Sequence, residues 1–312
     1  MKIFVTGGLG QIGSHVVEML LARGDEVIVV DNLATGRREH LSDHPKLKVV
    51  IDSIANKTLM EELIGEFRPD ALVHAACSYK DPDDWYNDTL TNSVGGSLMV
   101  DLAKKNNVKR FVYYQTALCY GLKPQEHPIT LNHPRSPEGS SYAISKTANE
   151  YYIELSGIDF VTFRLANVIG PRNVAGPLPI FYQRLKDGKK CFISESRRDF
   201  VFVKDLAEVT VKACDGIGYG AYHFSSGSDV AIKELYDEVV EAMNLPDKPQ
   251  ADIKALGPDD VFSILLDPSR TYQDFGQIDF TSLKTTVAEG VKYYQKHGTL
   301  GEYTHLRLQD NK

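Results

Sequence analysis

The sequence predicts an α/β fold in which a doubly wound parallel sheet carries a smaller C-terminal lobe. Short runs rich in β-branched residues alternate with helical patterns through the first half of the 312-residue chain. Such alternation is typical of parallel sheets that are covered by helices on both faces. A glycine-rich turn separates the first strand from the first helix, and the alternation is lost after Pro171, where the second lobe is expected.

The first half provides its predicted elements in strict order. In the first helix, Ile12, Val16 and Leu20 share one face, as expected for a helix that packs on a sheet. Strands are predicted over 2–6, 26–30, 48–51, 70–74, 110–115 and 160–164, and helices over 11–22, 55–67, 87–106 and 140–156.

The second half is interrupted by Pro171, Pro177 and Pro179. Helices are predicted over 180–186, 204–214, 232–243 and 281–297, and strands over 199–203 and 222–225. We therefore expect a first domain over 1–165 with a returning segment at about 199–225, and a lobe formed mainly by 166–312.

The composition excludes several classes of protein. A net charge of −7 disfavours a nucleic-acid partner, which needs clustered Lys and Arg. No apolar run approaches the roughly 20 residues of a membrane span, and the N-terminus opens directly into a strand pattern, so we expect a cytoplasmic protein. The cysteines form no CxxC pair and predict free thiols without a metal site; they are Cys77, Cys119, Cys191 and Cys214.

Residues 5–13 predict a dinucleotide site of the Rossmann type. The segment reads Val-Thr-Gly-Gly-Leu-Gly-Gln-Ile-Gly and follows a predicted strand, with Gly7 or Gly8, Gly10 and Gly13 at the required spacing. One glycine allows the tight turn, another lets the backbone approach a pyrophosphate, and the last lets the helix pack on the sheet. Gln11 and Ile12 open the helix, whose N-terminus attracts phosphate. A glycine turn without a ligand is the alternative.

An acidic residue follows the second strand at the position that selects the cofactor. Asp31 can accept hydrogen bonds from ribose hydroxyls and repels a 2′-phosphate, so NAD is favoured over NADP. Asn32 is expected beside it, whereas Arg37 and Arg38 leave NADP open. Asp52 and Ser53 follow the third strand and are expected near the adenine, with a solvated turn as the alternative.

A tyrosine and a lysine share one face of the helix predicted over 140–156. Tyr142 and Lys146 are four residues apart. A tyrosine becomes a useful base only where positive charge favours its phenolate, which the lysine and an oxidised nicotinamide would supply. Thr116 ends a strand, at the edge where doubly wound sheets bind ligands. A surface pair and a strand-end cap are the alternatives.

These motifs occur in the order found in a known superfamily. The chain resembles the extended short-chain dehydrogenase/reductases, and among them the nucleotide-sugar 4-epimerases such as UDP-galactose 4-epimerase. The matching pieces are Thr6–Gly13, Asp31–Leu33, His74–Ala76, Asn92, Thr116–Gly121, Tyr142 with Lys146, Phe163–Pro171 and Arg198–Asp205.

The resemblance implies roles for further residues. Thr116, Tyr142 and Lys146 would be the catalytic triad, and Ala75, Ala76 and Asn92 would lie at the cofactor. Asn167 and Arg198 would meet the sugar nucleotide, with Arg198 at its diphosphate; an ion pair of Arg198 with Asp199 is the alternative. The loop after the strand over 70–74 should overhang the cleft, where Tyr79 and Lys80 would contact nicotinamide or sugar unless the loop is plain structure.

Two departures from the family pattern bear on the reaction. Dehydratases and decarboxylases carry acidic residues just after the catalytic Thr or Ser, where this chain has Ala117 and Leu118. Epimerases usually add a second phosphate arginine in an Arg-Pro-Gly-Asp stretch, which here reads Gly-Pro-Asp-Asp at 257–260. Arg270 or a lysine is expected to replace that arginine, unless the nucleotide end binds differently.

The predicted function is NAD-dependent epimerisation of a nucleotide-linked sugar at C4 through a transient 4-keto sugar. A reductase, oxidase or dehydratase of the same superfamily is one alternative, and an inactive NAD-binding regulator is another. The lobe over 166–312 would then bind the substrate. The resemblance also implies a homodimer, which would pair the helices over 87–106 and 140–156 with those of a second copy.

Overall fold

A computed structural model of the chain describes residues 1–79, 81–256 and 261–300. Within them the strands are β1 (Lys2–Thr6), β2 (Glu26–Asp31), β3 (Leu47–Ile51), β4 (Ala71–His74), β5 (Arg110–Thr116), β6 (Phe160–Leu165), β7 (Asn167–Ile169), β8 (Phe192–Ser194), β9 (Arg197–Arg198), β10 (Phe200–Phe202), β11 (Gly220–Phe224), β12 (Val230–Ala231), β13 (Asp252–Lys254) and β14 (Ser263–Ile264). The α-helices are α1 (Gln11–Ala22), α2 (Lys57–Phe67), α3 (Trp85–Asp88), α4 (Gly96–Lys105), α5 (Ser141–Ser156), α6 (Pro177–Lys186), α7 (Val203–Cys214), α8 (Ile232–Ala242), α9 (Ser269–Phe275) and α10 (Leu283–His297).

Seven parallel strands form the central sheet, in the order β11-β6-β5-β4-β1-β2-β3. The chain runs outward from β1 to β3 and then returns to β4 on the other side of β1. Ligands of doubly wound sheets bind at this reversal, outside the carboxyl ends of the strands. The predicted fold class is confirmed.

The two faces of the sheet have separate cores because side chains alternate along each strand. Ile3 and Val5 face α1 and α7, where they meet Val16 and Leu206. Phe4 faces the opposite way, into a core built with α2, α4 and α5. Such strands are buried on both faces, which explains their nearly continuous apolar runs.

The C-terminal lobe has its own core, in which α6, α8 and α10 pack together around Leu178, Tyr236 and Tyr294. Short sheets flank it, pairing β8 with β13 and β9 with β12 and β14. The predicted strand over 199–203 forms as β10, which pairs with β7 outside the central sheet. Of the described strands that follow β6 in the chain, β11 is the one that joins the central sheet, and it pairs with β6.

The single helix predicted over 87–106 was wrong in one respect. The structure has α3, then a π-helical segment over Thr89–Gly95, then α4. A Cβ at Gly95 would lie 2.7 Å from the Ile54 side chain, and one at Gly96 would lie 2.5 Å from Asn149. The glycines therefore permit close packing, and π-helical turns are frequent at functional sites.

None of the helices in the described part of the chain combines the length and the apolar character that a membrane span requires.

Candidate active site

The glycine turn between β1 and α1 is shaped by contacts that exclude side chains. Gly7 has φ +66°, and a Cβ there would lie 2.6 Å from the Ala76 nitrogen. A Cβ at Gly13 would overlap the Gly7 carbonyl oxygen. Gly10 precedes Gln11 and Ile12 in the first turn of α1, where backbone N–H groups lack intrahelical partners. The turn thus leaves room for a diphosphate at a positively polarised helix end.

Asp31 lies at the carboxyl end of β2 with both carboxylate oxygens oriented. Oδ2 accepts from the Leu9 N–H at 2.9 Å and Oδ1 from the Leu33 N–H at 2.8 Å. Burial raises the pKa of Asp31, and these backbone donors oppose that rise. Each oxygen can still accept a further bond, as a ribose diol would require. These two acceptors fit the ribose hydroxyls of NAD.

The neighbouring polar residues follow the same sheet edge. The Asp52 N–H donates to the Asp31 carbonyl oxygen at 3.1 Å, which places the end of β3 beside Asp31. Asp52 Oδ1 accepts from the Ser53 N–H at 2.7 Å. The Asn32 side chain closes its own turn by accepting from the Ala34 N–H. The structure therefore groups the residues predicted for the adenosine half of the cofactor.

The segment after β4 joins the glycine turn to α5. Ala75 and Ala76 donate their N–H groups to the Thr6 carbonyl and hydroxyl oxygens at 3.0 and 3.3 Å. Asn92, in the π-helical segment, binds the backbone of Ser78 through both amide atoms and donates to Ser145 Oγ at 3.0 Å. Asn92 thus connects the segment after β4 to α5.

Thr116 is the last residue of β5, at the carboxyl edge of the sheet. Its register partner in β6 is Leu165, two residues before Asn167. The Thr116 hydroxyl accepts from the Leu118 N–H at 3.2 Å. Its own proton can therefore be donated to a substrate oxygen.

Tyr142 and Lys146 lie in the first half of α5, on the face toward β5. Tyr142 packs against the apolar cluster that contains Leu118. The Lys146 ammonium lies 4.1 Å from the centroid of the Tyr113 ring, whose hydroxyl donates to the Lys146 carbonyl oxygen at 2.9 Å. The two predicted catalytic side chains therefore share one helix face beside the strand that ends in Thr116.

Burial dominates the titration of both groups. It lowers the pKa of Lys146 to about 8, against the charges of Cys77 and Glu150. It raises the pKa of Tyr142 well above its usual value, and Cys77, Tyr79 and Asp88 raise it further. Base catalysis by Tyr142 needs added positive charge, which an oxidised nicotinamide carries.

Three predicted substrate residues lie in different settings. The Tyr79 ring meets the Tyr142 ring edge to face, with centroids 6.3 Å apart. Asn167 is exposed just beyond β6 and donates to the Asp199 carbonyl oxygen. Arg198, in β9, donates through Nη1 to the carbonyl oxygens of Val261 and Phe262 at 3.0 and 3.2 Å. Lys80 and the stretch 257–260 lie outside the described residues.

The prediction for Arg270 was wrong. Its guanidinium donates to the carbonyl oxygens of Ala221 and Tyr219 and lies over the Tyr222 ring. Tyr219 immediately precedes β11 and Ala221 is its second residue, whereas the site lies at the carboxyl ends of the strands. The helix α9 carries Arg270 down the sheet edge, away from the cleft.

Sequence reasoning missed a buried polar network beside Thr116, formed by Gln115, Glu150 and Arg164. One signal was present: Glu150 continues the four-residue spacing of Tyr142 and Lys146 on α5. Among the described residues, no group of three or more His, Cys, Asp or Glu side chains is arranged to hold a metal ion.

Comparison with known proteins identifies related molecules. Residues 3–221 match the model of the NAD dependent epimerase/dehydratase family. The crystal structure of the Bordetella bronchiseptica enzyme WbmH with NAD+ is 69% identical over 96% of this chain and 99% of that chain, with a TM-score of 0.94. WbmG from the same organism, with NAD and UDP, is 39% identical over 98% and 99%, with a TM-score of 0.89. A UDP-glucose 4-epimerase of Mycolicibacterium smegmatis is 29% identical over 95% and 99%.

Proposed function

Because the chain belongs to the NAD-dependent epimerase/dehydratase family, we propose that it epimerises a UDP-linked sugar at C4, with NAD as its cofactor. Two relatives support the nucleotide and the reaction: WbmG was crystallised with NAD and UDP, and the relative from Mycolicibacterium smegmatis is a UDP-glucose 4-epimerase. The lobe over 166–312 would bind most of the substrate.

One arrangement supports the proposal: Tyr142 and Lys146 lie on the face of α5 toward β5, the strand that ends in Thr116. Gly7 lies against Ala76, and Asn92 connects Ser78, two residues further on, to Ser145 in α5. This arrangement supports proton removal from a sugar hydroxyl, which requires a base, a nearby cation and a hydrogen-bond donor.

The glycine turn and Asp31 would hold NAD, whose nicotinamide would supply hydride transfer from the sugar C4 and back to its opposite face. Tyr142, as a phenolate, accepts the proton of the 4-hydroxyl. Lys146 stabilises the phenolate by its charge, and Thr116 donates a hydrogen bond to the sugar oxygen. After the 4-keto sugar has rotated in the site, Tyr142 returns the proton to the sugar 4-oxygen.

The residues beside Thr116 favour epimerisation over dehydration. A dehydratase must protonate a leaving hydroxyl, and Ala117 and Leu118 carry no group that can do so. Because hydrogen, electrons and proton all return to the sugar, the reaction has no net redox change. This distinguishes the proposal from a reductase or an oxidase.

The test is incubation of the NAD-loaded protein with a panel of UDP-sugars, followed by NMR of the C4 configuration and absorbance at the NADH band. We expect a C4 epimer without net change in NADH. In Tyr142→Phe, turnover should fall by about a hundredfold or more, with NAD still bound. Stoichiometric NADH consumption would identify a reductase, and bound NAD without any altered sugar would identify an inactive regulator.

We also propose a homodimer formed by the outer faces of α4 and α5. The apolar side chains Tyr151, Tyr152 and Leu155 are 50%, 49% and 83% exposed near the end of α5, and Ile144 is 49% exposed two turns earlier. Their spacing places them on one stripe of the helix. A contiguous exposed stripe of this kind is typical of a subunit interface.

A cytoplasmic location is part of the same proposal. Its support is chemical: Cys77, Cys119, Cys191 and Cys214 are free thiols, as proteins of reducing compartments have.

A further inference from the structure

A buried carboxylate that has no role in the proposed reaction contacts Gln115, the residue before Thr116. Glu150 is 0% exposed and lies one helical turn beyond Lys146. Its Oε1 accepts from Arg164 Nε at 3.0 Å and Nη2 at 2.9 Å. Arg164 is only 5% exposed, so the ion pair holds α5 against β6 with little freedom.

A single amide side chain connects this ion pair to Thr116. Gln115 Nε2 donates to Glu150 Oε2 at 2.9 Å. Gln115 Oε1 accepts from the Thr116 N–H at 2.8 Å. Both ends of the amide are therefore used, and a continuous path of hydrogen bonds runs from Arg164 to the backbone of Thr116.

The path joins the two elements that bear the proposed catalytic groups. Tyr142, Lys146 and Glu150 share one face of α5, and Thr116 ends β5. A shift of one element against the other changes the distance between the phenol and the threonine hydroxyl. Misplacement by about 1 Å can cost two orders of magnitude in rate.

We propose that Gln115 is a positioning residue of the active site. Its amide links Thr116 to the immobilised carboxylate of Glu150, and this keeps the Thr116 hydroxyl oriented toward the sugar oxygen. The inference rests on the proposed function. A purely structural role is less suited to this amide, because Arg164 balances the Glu150 charge without it, and Arg135 Nη1 also lies 3.4 Å from Glu150 Oε2. The negative charge of Glu150 additionally raises the pKa of Lys146 against the effect of burial.

The test is steady-state epimerisation by Gln115→Met, which keeps the length of the side chain and removes its hydrogen bonds to Glu150 and Thr116, together with a longer one to Thr147 Oγ1 at 3.5 Å. We expect kcat to fall about tenfold, with KM for the UDP-sugar and NAD occupancy unchanged. The matched control is Tyr114→Phe, because Tyr114 precedes Gln115 in β5 and its hydroxyl makes one buried bond, to Thr210 at 2.8 Å. This control should keep its kcat.

A second variant, Gln115→Glu, keeps an acceptor for the Thr116 N–H and, when protonated, a donor for Glu150. It should retain more kcat than Gln115→Met. An unchanged kcat in Gln115→Met, or an equal loss in Tyr114→Phe, would overturn the inference while wild-type turnover stands. Wild-type protein without epimerase activity would instead refute the proposed function, and the inference with it.

Discussion

The ammonium of Lys146 is held over the face of the Tyr113 ring, 4.1 Å from its centroid, with 3% of the lysine exposed. A cation on an aromatic face gains from the quadrupole of the ring. This gain only partly replaces the lost hydration, since burial still lowers the pKa of Lys146 to about 8. The site therefore keeps its charged group at a cost in stability.

Replacing the buried charge should stabilise the protein and inactivate it. In Lys146→Met without cofactor, we expect the free energy of unfolding at pH 7 to rise by about 1–3 kcal/mol, because the charged lysine is disfavoured in the fold. Epimerase activity should be lost. Urea unfolding and the NMR assay measure the two effects, and a destabilised variant would contradict the assignment of cost to this charge.

The same lysine predicts a specific pH dependence. Its pKa is lowered from 10.5 to about 8 on folding. Between these values the unfolded chain binds a proton that the folded chain does not, so Lys146 makes the unfolding free energy rise with pH in this window. The difference between wild type and Lys146→Met should therefore shrink from pH 8 to pH 10. A difference that stays constant would refute the lowered pKa.

Asp31 should control the affinity for NAD. In Asp31→Asn the side chain keeps its shape but loses its charge and part of its accepting capacity, so Kd for NAD should rise about tenfold, with discrimination against NADP reduced. Isothermal titration with both cofactors measures this. Asp237→Asn, on the surface of α8 where the carboxylate pairs with Lys233, serves as the matched control and should leave the NAD affinity unchanged; an equal effect of both variants would indicate a general charge effect.

The glycine turn allows a paired test of close approach. Gly13→Ala places a methyl group against the Gly7 carbonyl oxygen, so NAD binding should be lost and the protein destabilised by about 1–3 kcal/mol. Gly65→Ala, in α2, meets its nearest neighbour, Asn106 Oδ1, only at 4.0 Å. That helix should gain about 0.5–1 kcal/mol. Thermal melts with and without NAD compare the two variants.

The proposed dimer is tested on the exposed stripe of α5. Tyr152→Glu combined with Leu155→Glu places two like charges at the contact, which should produce a monomer in light scattering after size exclusion. Ile253→Glu is the control, because Ile253 is 65% exposed on the distant β13. A wild-type monomer, or a dimer that tolerates both glutamates, would contradict this interface.

The motifs from which the site was predicted are local. The glycine spacing over 7–13, the acid at the end of the second strand, and the Tyr142–Lys146 interval each depend on residues that are neighbours along one turn, helix or strand. Arg270 failed because its predicted role depended on where α9 crosses the sheet edge. The π-helical segment failed because an α-helical pattern of side chains does not show one inserted residue.

The sequence by itself determined the order of strands and helices, the dinucleotide turn, and the family to which the chain belongs, since these follow from backbone rules acting over a few residues. Tertiary structure decided which distant side chains meet: Lys146 with Tyr113, and Gln115 with Glu150 and Arg164. Such contacts depend on strand register and on the rotation of α5 about its axis, and both are set by packing of the whole core.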